Sequence, residues 1–292
     1  MNSSLSIDFS DTSTQIEDKK PTMSRLITHN FLSTKLRDPR EESFFEMLGI
    51  NVFPMLSLFS ITTLLCLIIF AVFVVQLIFG GVSGPEFLQP GSSFLSEFLI
   101  ATRQMTIHDK HIYQLFTCQF LHDNAISLFS NIFLVCFTVS WAEAILGPIR
   151  TIIAFVLTVG CANGLVALYL QPAQAIYGLN TGIYGLLGAG LGCLVINWPN
   201  LYFMKFPRVL VFWMLCILIG FSMIFARTDV AITSQLMGVM VGILVGLFCA
   251  PFKRVSENES KKFSLSQKVL IVFGFLSYFV TLIICVCLII LV

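Results

Sequence analysis

The chain contains 292 residues, of which 57% are apolar and 11% are charged, and its net charge is +1. Soluble domains carry about 25% charged residues, so this composition excludes an ordinary soluble enzyme, a disordered chain and a nucleic-acid-binding protein with a basic face. No nucleic-acid partner is expected. The composition predicts an all-α, polytopic membrane protein whose surroundings are the lipid bilayer.

Charged residues and helix breakers divide most of the chain into seven apolar stretches. A helix needs about 20 apolar residues to cross the hydrocarbon core of a bilayer. The 54 uncharged residues between Arg150 and Lys205 count as two helices, because Pro172 interrupts them. The predicted spans cover approximately residues 53–79, 125–141, 151–170, 178–197, 209–226, 231–250 and 269–292.

The basic residues predict how these spans are oriented. With seven spans, 14 of the 17 Lys and Arg residues lie on the side of the N-terminus, and three lie on the other side. Because cytosolic loops are enriched in basic residues, the N-terminus is predicted to be cytosolic and the C-terminus luminal or extracellular, in an endomembrane or the plasma membrane. The polar residues 1–44 are then a disordered cytosolic tail, and residues 251–268 are a cytosolic linker.

Residues 80–121 form a long connection between the first two predicted spans. Apolar and polar residues alternate along it, which predicts amphipathic segments that lie in the membrane interface. Connections of this length are uncommon in compact proteins and are usually functional or partly folded.

The nine cysteines do not form a recognisable metal or disulfide pattern. Eight of them lie within apolar stretches, and there is no CxxC pair. Buried cysteine behaves as a small hydrophobic residue, so no disulfide framework, metal site or cofactor is predicted.

Four segments, in chain order, resemble motifs of the rhomboid family of intramembrane serine proteases. Residues 113–122 (YQLFTCQFLH) resemble the W-R-x-x-T-x-x-F-x-H stretch of that family, and residues 127–147 resemble its H-x-x-x-N helix with the following E-x-x-x-G. Residues 178–189 (GLNTGIYGLLGA) align without gaps to G-x-S-G-x-x-Y-G-L-L-G-A. Residues 235–242 (QLMGVMVG) correspond to H-x-x-G-x-x-x-G.

The resemblance implies a fold and a site. The fold is a rhomboid-like six-helix bundle over residues 50–250 with a seventh C-terminal transmembrane helix, a layout common in eukaryotic rhomboids. The catalytic serine position is occupied by Asn180 and the catalytic histidine position by Gln235. A carboxamide is neither a useful nucleophile nor a titratable base, so both members of the dyad are absent. The other matched positions hold Ser127 for the auxiliary oxyanion histidine, Gln114 for the loop arginine, and the retained Asn131 and Tyr184.

Thr181 is the one neighbouring hydroxyl that could replace the missing nucleophile. One residue further along a helix turns the side chain by about 100°, and Thr181 would still need a base. His122 is the only plausible substitute, and its family counterpart is not the base. Residual proteolysis therefore stays an alternative.

The remaining polar and small residues have two interpretations. The four polar side chains Ser127, Asn131, Asn180 and Gln235 either form hydrogen bonds between helices or line a wet cavity that engages a polar or helix-breaking client segment. Glycines at helical spacing let membrane helices approach closely. The predicted packing glycines are Gly182, Gly185 and Gly188 in the fourth span and Gly238, Gly242 and Gly246 in the sixth.

The favoured interpretation is a rhomboid-like pseudoprotease. The resemblance implies that it binds transmembrane client proteins and affects their trafficking or degradation without cleaving them. One alternative is a residual rhomboid-type serine endopeptidase. The other is a seven-helix transporter or receptor, which the absence of charged residues and histidine from the apolar cores of the spans disfavours.

Overall fold

The computed structural model describes residues 60–171, 174–198, 216, 220, 229–249 and 264–291. Its six long helices are α1 (Ile61–Gly80), α2 (Ala125–Leu146), α3 (Pro148–Tyr169), α4 (Asn180–Asn197), α5 (Asp229–Cys249) and α6 (Leu265–Leu291). All six are long and apolar enough to cross a membrane. The chain is thus an all-helical, multi-pass membrane protein, as its composition predicts.

Six of the seven predicted spans correspond to these helices. The predicted fifth span, 209–226, lies outside the described residues except for positions 216 and 220, and so do the predicted tail 1–44 and most of the linker 251–268. The total of seven spans therefore stays a prediction.

Capping side chains place two helix starts away from their predicted positions. Helix α1 begins after Ser60, whose backbone is extended and whose Oγ accepts a hydrogen bond from the Thr63 N–H at 3.1 Å. Helix α6 begins at Leu265, four residues before the predicted start. There the Gln267 N–H donates to Ser264 Oγ at 3.2 Å, and the Ser264 N–H donates to Gln267 Oε1 at 3.1 Å. This reciprocal pair is a capping box, and it fixes the first turn of α6.

Helices α1 and α2 are antiparallel and are joined by hydrogen bonds near both ends. At one end, the buried Glu143 carboxylate accepts the backbone N–H groups of Ile61 and Thr62 at 3.0 and 3.2 Å. These N–H groups have no partner within their own helix. At the other end, the Gln76 side chain bonds the backbone N–H and C=O of His122, three residues before the start of α2.

Helices α4 and α5 are parallel and approach until their backbones touch. Three glycines of α5, spaced four residues apart, face carbonyl oxygens of α4 with the same spacing. A Cβ atom added at Gly238 would lie 2.7 Å from the Thr181 oxygen. Added Cβ atoms at Gly242 and Gly246 would overlap the carbonyl oxygens of Gly185 and Ala189. Only glycine permits this separation.

The three predicted packing glycines of α4 face two different helices. Gly188 lies against the Val239 carbonyl of α5. Gly182 and Gly185 instead face side chains of α3, namely Phe155 and Thr158. Residues three apart are offset by about 60° around a helix, so a stripe with this spacing drifts from one neighbour to the next. Gly192, which the sequence analysis did not single out, faces α5 one turn after Gly188.

The connection between α1 and α2 is folded. It contains the short helices Phe94–Leu99 and Gln114–Thr117, a π-helix at Gln104–His108 and a 3₁₀ helix at Cys118–Phe120. Strand β1 (Ala101–Thr102) pairs antiparallel with β2 (Ala175–Ile176), which lies between α3 and α4. This pairing holds the connection against the end of the bundle where α4 begins.

Helix α6 is joined to the rest of the fold along its length. Near its start, Gln267 Nε2 donates to the Ile196 carbonyl at 3.2 Å. In its middle, the Tyr278 hydroxyl donates to the Leu157 carbonyl at 3.1 Å. Near its end, Lys110 Nζ of the long connection donates to the Ile289 carbonyl at 2.5 Å. The end of α6 and the start of α4 thus lie at the same end of the bundle.

Candidate functional site

The candidate site lies at the start of α4, where the sequence places Asn180. Gly178 has a φ of +82°, a conformation that favours glycine, and the helix begins two residues later. On α5, Gln235 precedes Gly238 by one turn, and Gly238 contacts the Thr181 carbonyl. Gln235 therefore lies at the level of the first turn of α4. Its side chain is 5% exposed, and its Oε1 has no hydrogen-bond partner among the described residues.

Asn131 and Asn180 approach the same point from different helices. The Nδ2 atoms of both side chains lie 3.8 Å from the position that a Cβ atom would take at Gly178. Asn131 Nδ2 also lies 3.0 Å from His122 Nε2. Two of the positions singled out in the sequence are thus brought together around one glycine.

The imidazole of His122 is fully engaged. Its Nδ1 lies 3.2 Å from the Phe120 carbonyl, which can only accept, so Nδ1 carries the hydrogen. Its Nε2 then accepts from Asn131. Burial lowers the pKa of His122 to about 4 because the apolar surroundings disfavour the charged ring. His122 is therefore neutral at pH 7, and both of its nitrogens serve structural contacts.

The Thr181 hydroxyl is buried and committed to another side chain. Thr181 is fully buried, and its Oγ1 donates to Asn163 Oδ1 at 2.7 Å. Asn163 Nδ2 in turn donates to the Leu115 carbonyl at 2.6 Å. A carboxamide oxygen cannot take the proton that a nucleophilic hydroxyl must lose. The hydroxyl of Thr181 therefore joins α4 to α3 and to the long connection.

The three other candidate positions have different surroundings. Gln114 is buried, and its Nε2 donates to the Phe98 carbonyl at 3.2 Å, while its Oε1 has no partner in the described part of the chain. Ser127 lies in the first turn of α2, where its N–H donates to Asn124 Oδ1 at 2.7 Å. Tyr184 is buried in α4 one turn after Asn180.

Gln119 and Asn163 are the site residues that the sequence analysis missed. Gln119 Oε1 accepts the Gly182 N–H at 3.0 Å, which satisfies one N–H of the first turn of α4. The neighbouring Cys118 carbonyl accepts the Gly178 N–H at 3.0 Å. One available signal was chemical: a carboxamide in an apolar span, such as Asn163, needs a hydrogen-bonding partner.

In the part of the chain that the structure describes, two N–H groups of the first turn of α4 are left without an acceptor. The N-cap residue of this helix, Leu179, makes no side-chain capping bond. The Gly182 N–H bonds Gln119, and the Ile183 N–H bonds the Leu179 carbonyl at 3.0 Å. Within the described part of the chain, the N–H groups of Asn180 and Thr181 have no acceptor. Such groups give a helix start a partial positive charge.

Two carboxylates lie beside this first turn. Asn124 Nδ2 donates to Glu86, and the buried Asp123 Oδ1 has no partner within the described ranges. Burial, together with the charges of Asp123 and Glu86, raises the pKa of the Tyr177 phenol. Tyr177 directly precedes Gly178, so both carboxylates influence the edge of the site. Among the described residues, no three His, Cys, Asp or Glu side chains are grouped as a metal site.

Comparisons with known proteins identify the domain that holds this site. Residues 109–252 match the rhomboid domain. The chain is 30% identical over 113 residues to RHOMBOID-like protein 7 of Arabidopsis thaliana, covering 39% of this chain and 36% of that one. It is 28% identical over 123 residues to RHOMBOID-like protein 1 of the same plant, covering 42% and 31%. The match spans about a third of each relative. The chain is a multi-pass membrane protein that contains a rhomboid domain.

Proposed function

We propose that this protein is a rhomboid-like pseudoprotease, which binds transmembrane segments of client proteins and affects their trafficking or degradation without cleaving them. The observation that carries the proposal is the pair Asn180 and Gln235, which lie at the same level of two touching helices. The resemblance to active rhomboids assigns the catalytic serine to the position of Asn180 and the catalytic histidine to the position of Gln235.

Peptide hydrolysis needs a nucleophile and a group that takes its proton. Neither carboxamide performs these roles, and the neighbouring groups do not replace them. The Thr181 hydroxyl donates to Asn163, and the nitrogens of His122 bond Phe120 and Asn131. The neutral, satisfied environment of Thr181 supports binding without hydrolysis.

The experiment compares membranes that lack the protein with membranes complemented by the wild type, by Gln235→Leu or by Leu236→Ala. Leu236 is adjacent to Gln235 but exposed on the surface of α5, so its replacement is the matched control. Quantitative proteomics measures the abundance of intact membrane proteins and, separately, new N-termini within transmembrane segments.

We expect a set of full-length membrane proteins whose abundance changes in the deletion and is restored by the wild type and Leu236→Ala, but not by Gln235→Leu. New N-termini that depend on the wild-type protein and vanish with Thr181→Ala would instead establish the alternative, a residual serine-type endopeptidase. Unchanged abundance of every membrane protein in the deletion would contradict the client-binding proposal.

A further inference from the structure

Two cysteine side chains meet where α1 packs against α2. Cys66 Sγ of α1 lies 3.7 Å from Cys136 Sγ of α2, so the two sulfurs touch across the helix pair. Both cysteines are free thiols. A disulfide joins its sulfurs at about 2.05 Å, so these two would have to approach by about 1.7 Å. The pair is therefore close to the geometry of a disulfide between α1 and α2.

The two helices are held together on both sides of this thiol pair. Toward the start of α1, the buried Glu143 carboxylate of α2 accepts the Thr62 N–H. Toward the other end of α1, Ile69 packs with Leu128 of α2 in one buried cluster. Because these contacts keep the two sulfurs near each other, a reaction between them has a high effective concentration.

The outer surface of α1 gives an oxidant access to the thiol pair. Both cysteines are half-buried, and the neighbouring Leu64 and Leu67 of α1 are 53% and 61% exposed. Helices α1 and α2 are both long and apolar enough to cross a membrane, so this surface faces hydrocarbon. An oxidant that arrives from this side must therefore be soluble in the lipid. Four other cysteines of the described chain are buried in the fold, namely Cys118, Cys161, Cys193 and Cys285.

We propose that Cys66 and Cys136 form a redox site that reduces lipid hydroperoxides and closes to a disulfide between α1 and α2. One thiol loses its proton, and its sulfur attacks the terminal oxygen of the hydroperoxide. The O–O bond breaks, the lipid alkoxide takes the proton and leaves as an alcohol, and the sulfur becomes a sulfenic acid. The second sulfur then attacks the sulfenic sulfur, the S–O bond breaks, and the hydroxide leaves with the second proton as water. Two thiols and one hydroperoxide thus give one disulfide, one alcohol and one water.

The disulfide would change the stability of the fold. It would join residues 70 positions apart in the chain, and closing a loop of this length restricts the unfolded chain far more than the folded one. The loop contains the long connection and the first half of α2, so oxidation would fix these segments to α1. This inference rests on the contact between α1 and α2 and is independent of client binding.

The test uses the full chain in lipid vesicles in which a fraction of the phospholipid carries a hydroperoxide, with unoxidised vesicles as the control. Free thiols are then alkylated, and each cysteine is followed by peptide mass spectrometry. We expect a peptide pair joined through Cys66 and Cys136, one lipid alcohol for each disulfide, and reversal by a dithiol reductant. The buried Cys161 and Cys193 should stay alkylatable only after unfolding, as in the control. Faster joining with aqueous hydrogen peroxide at the same concentration would overturn the assignment of a lipid oxidant.

Three variants complete the test. Cys66→Ser and Cys136→Ser should each abolish the joined peptides, whereas Cys161→Ser should keep them. In the wild type, oxidation should raise the midpoint of thermal unfolding by about 5 °C or more, and neither of the first two variants should show this rise. If these variants do not fold, the joined peptides and the lipid alcohol are still measured on the wild type. Persistence of both thiols in the oxidised vesicles, or their separate conversion to sulfinic acids without joined peptides, would overturn the proposal.

Discussion

At the scale of single residues, His122 illustrates how surroundings decide the chemistry of a side chain. It contacts Asn131 of the candidate site, and in solution its ring would titrate close to neutral pH. In the fold, Nδ1 is bonded to Phe120 and Nε2 to Asn131, in a buried position. At neutral pH the ring therefore stays uncharged and orients the Asn131 amide.

The burial of neutral His122 predicts that the folded protein loses stability as the pH falls. The pKa of His122 is about 4 in the fold and 6.5 for the free side chain, so the unfolded chain binds the proton first. The stabilising contribution is complete above about pH 6.5, decreases as the pH falls and is lost near pH 4, amounting to about 3 kcal/mol in total. Thermal unfolding in detergent across this pH range measures it. In His122→Gln, which can keep both hydrogen bonds, this part of the pH dependence should be absent; an unchanged slope would assign the effect to other groups.

Restoring the two family residues tests how far the site has departed from a protease. We expect that the double variant Asn180→Ser, Gln235→His does not cleave a defined transmembrane substrate. Loss of one oxyanion donor costs about 100- to 1000-fold in rate, and Ser127 occupies the oxyanion histidine position. Adding Ser127→His should then raise activity. Robust cleavage by the double variant alone would show that the rest of the site is competent.

The sequence predicted which residues belong to the candidate site, but it did not predict which hydrogen bonds those residues make. Its motifs selected Asn131, Asn180 and Gln235, which the fold brings to one region. The roles of Gln119 and Asn163 were not predicted, because their hydrogen bonds to Gly182 and Thr181 join residues far apart in the chain. Hydropathy and spacing carry no information on which polar groups pair across helices.

At the scale of elements, the contact between α4 and α5 is set by backbone and not by side chains. Glycines on both helices face carbonyl oxygens of the other, so the two backbones approach more closely than any side chain allows. In a bilayer, van der Waals contact of this kind drives helix association in place of the hydrophobic effect. The contact therefore fixes Gln235 beside the start of α4.

A single methyl group should disturb this contact. In Gly242→Ala the new Cβ would overlap the Gly185 carbonyl oxygen, and since backbone cannot move aside as a side chain can, we expect a loss of about 1–3 kcal/mol in unfolding free energy. Unfolding in mixed detergent micelles measures it. Gly220→Ala is the control, because nothing lies within 4 Å of its added Cβ. Equal stability of both variants would mean that the helices lie further apart.

The ends of the helices show where hydropathy stops being informative. Apolar residues continue on both sides of the α1 start, yet Ser60 caps the helix there. For α6, the pattern Ser264-x-x-Gln267 was a readable capping box, and it places the start before the charged Lys268. Hydropathy reports where a helix can lie in lipid, whereas caps decide where its hydrogen bonding begins.

At the scale of the whole molecule, the hydrogen bonds between elements define one end of the bundle. The start of α4 bonds the long connection through Gly178 and Gly182, and the end of α6 bonds it through Lys110. Helices α4 and α5 run parallel, and two successive parallel spans need a return crossing between them. The predicted fifth span, 209–226, would make that crossing.

The orientation of this end is predicted by the basic residues, 14 of which lie on the opposite side. With glycosylation reporters attached in turn to the N-terminus, to the C-terminus and after Gly84, translation into microsomes should modify the last two only. The reporter after Gly84, in the connection between α1 and α2, tests the orientation without regard to later spans. If the reporter after Gly84 is modified and the C-terminal reporter is not, the number of spans is even, and the prediction of a fifth span at 209–226 is wrong. If only the N-terminal reporter is modified, the orientation is reversed, and the candidate site opens toward the cytosol.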